Sequence, residues 1–394
     1  MTADPIVPDD LERVATWRDV YDFLYEGDWD ADALGEDFAG WRSVYDGSPI
    51  PVAEMQEWRN ATVARILAFN PRRVLEIGVG DGHVLSQVAA HCDRYVGCDF
   101  SEVAIDALRR QLRGYPALDR KIELDLRAAH ELDDLAPAGF DAVIVNSVVQ
   151  YFPSLRYLRT VLDAAVRLLA PGGAVYLGDL RNSRTQRCLA TAVALHGDAT
   201  GTAALRSAVD ESISAERELL VDPGFFAEYA ADRPSIAAVD VRLRRGHAHN
   251  ELTRHRYDVV LHDRQAEVLP LDQAPIRRWA GDLDELARQL TVDRPDRVRV
   301  VGAPNSRLHA ELAAYEAVHT AGDVAAARRA RTGPVPAGLP DPEDFHQLGA
   351  TCGYQVAVTW SPEHPGELDV LFVTPESAGS RAWSGVCRAV DGSH

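Results

Sequence analysis

Positive charge is the first thing this chain is short of. Lys and Arg total 41 against 60 Asp and Glu, a formal net charge of −19. A surface of that sign repels phosphate backbones outside any local basic patch, which argues against nucleic acid and favours a small or protein-bound substrate. Long apolar runs are missing too: none reaches the roughly 18 residues a membrane helix needs. Met1 to Asp10 is acidic and proline-containing, without the charged-then-apolar order of a signal peptide. The expectation is a soluble, cytoplasmic protein that does not engage a membrane. Cysteine is scarce. Cys92, Cys98, Cys188, Cys352 and Cys387 are odd in number and lack CxxC or Cys/His spacing, so free thiols and no metal site are expected. There is no internal repeat.

What the chain does have is length and one glycine-rich turn. At 394 residues it can hold a full α/β domain and a second, smaller unit, each with its own core. Val74 to Ile77 is a short apolar run with a carboxylate inside it, as in a buried parallel strand, and Gly78, Gly80 and Gly82 stop it abruptly. Val84 to Ala90 then has helical spacing. Backbone N–H groups at that helix start can face a ligand closely because the glycines carry no side chains. Tyr95 to Asp99 is a second apolar run ending on an acid, where a carboxylate can accept hydrogen bonds from ribose hydroxyls.

The glycine spacing separates two cofactor classes. A dinucleotide fingerprint, G-x-G-x-x-G/A, would need a small residue at position 83, where this chain has His83. Gly78-x-Gly80-x-Gly82, with Glu76 two residues ahead, resembles motif I of the class I S-adenosyl-L-methionine (SAM) methyltransferases. A tight turn without a ligand is the bland alternative, and the acidic strand end at Asp99 weighs against it. In this architecture adenine lies between the ends of the second and third strands, so Phe100, Ser101, Ala129 and His130 are candidate contacts. Upstream, Phe38 to Asn60 is an aromatic segment that could fold over the turn as a lid, bringing Tyr45, Met55 and Trp58 to cofactor or substrate.

Phe140 to Asn146 reads as the fourth strand, leading into Ser147, Gln150 and Tyr151. Ligands of open parallel sheets bind at the carboxyl ends of strands near the switch point, which places Asn146, Ser147, Gln150 and Tyr151 beside the reacting methyl group. Leu155 to Leu169 is a helix stopped by Pro171-Gly172-Gly173, and Ala174 to Leu180 is the fifth strand, closing on Asp179 and Arg181. Ile236 to Leu243 and Tyr257 to His262 read as the antiparallel edge pair of a seven-stranded sheet. The polar loop between them, Arg244 to Arg256, is a second candidate site. The expected divisions are an N-terminal cap at 1–70, a SAM-binding core at 71–264 with a helical insertion near 183–232, a C-terminal α+β subdomain at 265–374, and a disordered tail at 375–394.

Several stretches in this order make the chain similar to the methyltransferase domains embedded in nonribosomal peptide synthetases. They are Trp41 to Ile50 with Met55 and Trp58, Val74 to Gly82, Asp99-Phe100-Ser101, Asn146 to Pro153, Gly178 to Arg181, and His249 to Asp258. The resemblance spans roughly Trp41 to Val373. It implies a Rossmann-like α/β fold with a seven-stranded class I sheet, an N-terminal helical cap and a C-terminal α+β extension. It further implies N-methylation of an amino-acid-derived group, usually one held on a carrier protein. No adenylation or carrier sequence flanks the domain here, so a free-standing enzyme is expected, acting on a carrier-bound aminoacyl group or a free amino acid. O- or C-methylation and a non-catalytic SAM-binding module that docks on a synthetase are the alternatives.

Methyl transfer from a sulfonium is an in-line displacement, so a site must align its reactants and free the amine of its proton. Asp179, Glu251 and His247 are the candidate bases or amine-orienting groups. Tyr151, Gln150, Arg181, Asn250 and Arg254 are candidates for positioning.

Overall fold

The computed structural model describes residues 6–26, 34–197 and 201–387. Seven apolar runs form one sheet: β1 (Arg73–Ile77), β2 (Arg94–Asp99), β3 (Ile122–Leu126), β4 (Phe140–Asn146), β5 (Leu169–Arg181), β6 (Ile236–Leu243) and β7 (Arg256–Asp263). Their order is β3-β2-β1-β4-β5-β7-β6, and β7 runs antiparallel to both its neighbours. This is the class I methyltransferase sheet expected from the sequence. Strands β1 and β4 are continuous apolar runs because both of their faces are covered. Strand order reverses between β1 and β4, which opens a crevice at their carboxyl ends.

Helices in the first half of the chain include α1 (Pro8–Tyr25), α2 (Val52–Leu67), α3 (Leu85–Val88) and α4 (Glu102–Leu112). Ser101 caps α4 by accepting a hydrogen bond from the Ala104 amide at 3.2 Å. The helix Leu155–Leu168 starts at Ser154 in the same way and buries Tyr157, Leu158, Val161, Leu162, Ala165 and Leu168, one stripe at helical spacing. Of the aromatics expected near the N-terminus, Trp17, Tyr21, Phe23 and Tyr25 stand on α1, and Trp29 lies outside the described residues.

Two expectations are corrected. The Pro171-Gly172-Gly173 stretch does not precede β5 but lies inside it. Phe140 pairs with Leu169 and Ala142 with Ala174, so the extra residues form a bulge in a strand that has already begun. Gly173 is required there, since a Cβ would stand 2.8 Å from the Asp141 carbonyl oxygen. The second correction concerns the tail. Residues 375–387 are ordered, with a short helix Pro375–Ala378 and the strand Ala382–Ser384, and Trp383 and Val386 are buried. The fully buried Arg299 donates to the Val386 carbonyl at 2.8 Å and ties this end down.

Beyond β7 come β8 (Val268–Pro270), β9 (Ile276–Arg278), β10 (Arg297–Pro304), β11 (Gln355–Trp360), β12 (Glu367–Val373) and β13 (Ala382–Ser384). Strands β11-β12-β10-β9 make a second sheet, and β13 pairs in parallel with β8. One buried cluster runs from Val143 and Leu162 through Val241 to Val300 and Phe372. The C-terminal unit thus shares its core with the first sheet, where separate cores were expected. Among the described residues no helix is long and apolar enough to cross a membrane.

Candidate active site

The turn after β1 is built from backbone bonds. Gly78, Gly80 and Gly82 all have positive φ (77°, 46° and 74°). The amides of Gly78 and Val79 donate to the Cys98 carbonyl at 2.8 and 3.0 Å, stitching the turn to the end of β2. A Cβ on Gly78 would stand 2.3 Å from Cγ2 of Val148, and one on Gly80 would stand 2.9 Å from the Tyr25 hydroxyl. Side chains are excluded at both points. Glu76 lies below the turn, buried, with its Oε2 accepting from the Tyr95 hydroxyl at 2.6 Å. Burial pushes its carboxyl up to about 8, with nearby Asp99 adding to the effect and the Tyr95 hydrogen bond opposing it.

Asp99 accepts from the Gly80 amide through Oδ2 and from the Ser101 amide through Oδ1, each at 2.9 Å. Burial pushes its carboxyl up to about 6 although both amides pull it down. Each oxygen keeps a lone pair for another donor. Helix α1 crosses over this point. Asp22 accepts a hydrogen bond from the Ser101 hydroxyl, and Tyr25 is held above its ordinary value by burial and by Asp81 and Asp99. Tyr151 lies under the same helix, with ring centres 4.8 Å from Trp17 and 5.0 Å from Tyr21. These aromatics roof the crevice between β1, β2 and β4.

Two further acceptors lie at the end of β4. Asn146 Oδ1 and Gln150 Oε1 are buried without a hydrogen-bond partner among the described residues. Gly178 makes room for the former, since a Cβ there would stand 2.1 Å from Asn146 Oδ1. A glycine cradle lined by acceptors at Asp99, Asn146 and Gln150 suits a ligand rich in hydroxyl and ammonium donors. SAM has both, on its ribose and on its methionine end, so the residues present fit it. Among the described residues no group of three or more His, Cys, Asp and Glu side chains is gathered to hold a metal.

A family model described as "Methyltransferase domain" matches residues 75–175, which span the cradle and the end of β4. The chain contains a class I methyltransferase domain. It is homologous to segments of nonribosomal peptide synthetases. It is 38% identical over 97% of its length to a probable non-canonical nonribosomal peptide synthetase, CymA, of Salinispora arenicola, covering 5% of that protein. It is 35% identical over 95% of its length to chondramide synthase cmdD of Chondromyces crocatus, covering 10%. The chain thus spans a small fraction of these relatives. A solved geranyl diphosphate C-methyltransferase from Streptomyces coelicolor aligns at 12% identity over 66% of this chain and all of its own, with a TM-score of 0.43. The methyl donor of such a domain is SAM.

Around the methyltransferase's crevice, the structure redistributes several expected contacts. The Ser101 hydroxyl serves Asp22 and the start of α4, so it caps the helix and is not free for adenine. Phe100 is half-buried, its ring centre 6.2 Å from that of Tyr21, and Ala129 packs against the core. His130 Nδ1 lies 2.8 Å from the Tyr157 hydroxyl, and burial holds its imidazole below the ordinary value. Ser147, at φ 57°, turns its hydroxyl to Asp179 at 2.8 Å.

Asp179 is fully buried at φ 64° and held from several sides. Trp58 Nε1 donates to Oδ1 at 3.3 Å, Ser147 and Arg256 donate to Oδ2, and Arg244 Nε lies 3.7 Å from Oδ1. The expected base is thus a carboxylate whose two oxygens already accept from side chains at the end of β5. Arg256, which holds it most closely, was given no role from sequence.

The polar loop divides between the site and the scaffold. His247 is exposed, and its backbone amide donates to Glu57 at 2.8 Å, so the loop rather than its imidazole is what this position fixes. Asn250, expected to bind substrate, caps the short helix Glu251–Arg254 and donates to Glu54 at 2.7 Å. Glu251 is buried and accepts the Val44 amide at 2.8 Å, anchoring the turn that carries Tyr45. Arg181 is paired with Glu216 and Glu218 at 2.7 Å each.

Tyr45 does not reach the glycine cradle. Its hydroxyl donates to Glu311 at 2.6 Å, and the Arg254 guanidinium stands 5.9 Å from its ring centre. Glu311 also meets His255 Nε2 at 2.8 Å. Burial pushes the Glu311 carboxyl up, but His255, Arg254 and Tyr45 outweigh that and hold it below its usual range. Glu311 stands on the helix Ser306–Glu316, within a stretch the sequence marked only as helical.

Proposed function

We propose that this chain methylates a nitrogen of an amino acid or of an aminoacyl or peptidyl group carried on a protein. One observation carries the reading. The match to peptide synthetases covers 97% of the chain, well beyond residues 75–175 that the family model matches. The similarity to proteins named as peptide synthetases therefore extends over the part of the chain that would meet the acceptor.

When bound, SAM supplies an electrophilic methyl carbon on a sulfonium. The chain's own part is placement. Asp99 would take the ribose hydroxyls, and Asn146 and Gln150 would take donors near the methionine end. The Trp17, Tyr21, Tyr25 and Tyr151 roof keeps water out of the reacting volume, which favours the in-line approach of a neutral amine. The buried Asp179–Arg256 pair fixes the wall at the end of β5. No covalent intermediate with a side chain is needed.

The test is incubation with methyl-labelled SAM, free amino acids and aminoacyl thioesters of N-acetylcysteamine, followed by tandem mass spectrometry. Label on nitrogen supports the reading. Label on oxygen or carbon, or no transfer to any of them, overturns it.

A further inference from the structure

Of the groups first considered as proton acceptors, Asp179 is ion-paired, Glu251 is buried and accepts the Val44 amide, and His247 is exposed. The structure contains another imidazole. His255 is 5% exposed and lies directly before β7. Its carbonyl accepts the Asn182 amide at 2.9 Å, so it sits at the carboxyl end of β5, beside the Arg256 that pairs with Asp179.

Two groups face this ring from separate elements, and a third backs one of them. Glu311, on the helix Ser306–Glu316, meets Nε2 at 2.8 Å. The Tyr45 hydroxyl, from the turn before α2, lies 3.4 Å from the same nitrogen while donating to the other carboxylate oxygen. Arg254, on the preceding short helix, approaches Glu311 at 3.4 Å. A carboxylate holding further donors is an acceptor, so in the neutral ring it is Nε2 that carries the hydrogen. The lone pair then belongs to Nδ1, and this buried atom has no hydrogen-bond partner among the described residues. An unpaired buried acceptor is costly unless something donates to it.

We infer that His255, oriented by Glu311 and Tyr45, is the base that receives the acceptor amine's proton. The inference rests on the N-methylation reading and adds the residue that makes it work. The substrate ammonium passes a proton to Nδ1, leaving a neutral amine and an imidazolium whose charge Glu311 balances. The nitrogen lone pair forms the new N–C bond as the sulfur–methyl bond breaks, and the sulfonium charge passes to the methylated nitrogen. The imidazolium then returns its proton to solvent. Over one turnover a primary ammonium becomes a secondary ammonium, the sulfonium becomes a thioether, and one proton is released.

The full chain tests this in two ways. Nitrogen-15 NMR of the imidazoles, with His255 assigned by its absence in His255→Asn, should show hydrogen on Nε2; hydrogen on Nδ1 overturns the inference without any assay of activity. Single-turnover methylation of L-alanyl, L-valyl and L-phenylalanyl N-acetylcysteamine thioesters is then followed against pH. His255→Asn should slow it by roughly 10²-fold or more near neutral pH, with the deficit shrinking as pH rises and more of the amine is already neutral in solution. SAM affinity by calorimetry should stay unchanged. Glu311→Gln should slow it roughly 10-fold by loosening the tautomer. A His255→Asn rate within twofold of wild type near neutral pH overturns the inference, as does a rate loss that stays constant across the pH range. His255→Gln takes its place if the Asn variant does not fold. Wild-type chain that labels no amine removes the underlying reading, and is seen before any variant is made.

Discussion

The amide of Gly80 and the carboxylate of Asp99 meet at 2.9 Å, so the turn after β1 and the end of β2 are locked by the group expected to hold the ribose. Removing that carboxylate deletes the ligand's acceptor and loosens the turn together. Asp99→Ala should weaken SAM binding roughly 10- to 100-fold, from the loss of one or two hydrogen bonds to a charged acceptor. Isothermal titration calorimetry measures this, and an unchanged affinity would remove Asp99 from the ribose site.

Helix α1 is pinned over the cradle by the bond from Ser101 to Asp22. Asp22→Ala should release the roof and raise the SAM dissociation rate about 2- to 10-fold, the scale of one lost hydrogen bond. Stopped-flow displacement by S-adenosylhomocysteine reads the rate directly. Slower dissociation would show that the helix obstructs the ligand.

Asp179 should prove structural. Its carboxylate balances Arg256 and faces Arg244 in a dry setting, and a neutral amide would leave those guanidinium charges under-compensated. Asp179→Asn is expected to destabilise the fold by about 3 kcal/mol in denaturant unfolding. A stable variant with lost turnover would return Asp179 to the list of bases.

Glu76 gives a pH signature. Its folded-state carboxyl sits at about 8 against an ordinary 4.5, so between those values the folded chain keeps a proton that the unfolded chain gives up. Stability contributed by this group therefore falls as pH rises through that window and levels off above about 8. Glu76→Gln removes the titration. Its melting temperature relative to wild type should rise steadily from pH 5 to pH 8 and then stay level. A constant difference across the range would mean that the carboxyl titrates normally.

The donor side was legible because its parts are close in sequence. The cradle and Asp99 lie within one strand–turn–helix–strand unit, and apolar runs with glycine stops mark such units clearly. The bulge in β5 was hidden because Pro-Gly-Gly normally signals a stop, whereas here the glycines let the strand pass close to Asp141. The end of the chain looked loose because its composition is small and polar, and its order depends on Trp383, Val386 and the distant Arg299. The acceptor side was the least legible. Tyr45, His255 and Glu311 come from three remote segments, and nothing local distinguishes Glu311 from any other helix glutamate.

That separation of Tyr45, His255 and Glu311 orders events during synthesis of the chain. Every residue of the cradle has left the ribosome before β5 is complete, whereas the carboxylate that aligns His255 follows only after the first sheet has been made in full. The residues that would hold the methyl donor are thus made well before the carboxylate that aligns the proton acceptor, although both parts finally close over one buried core.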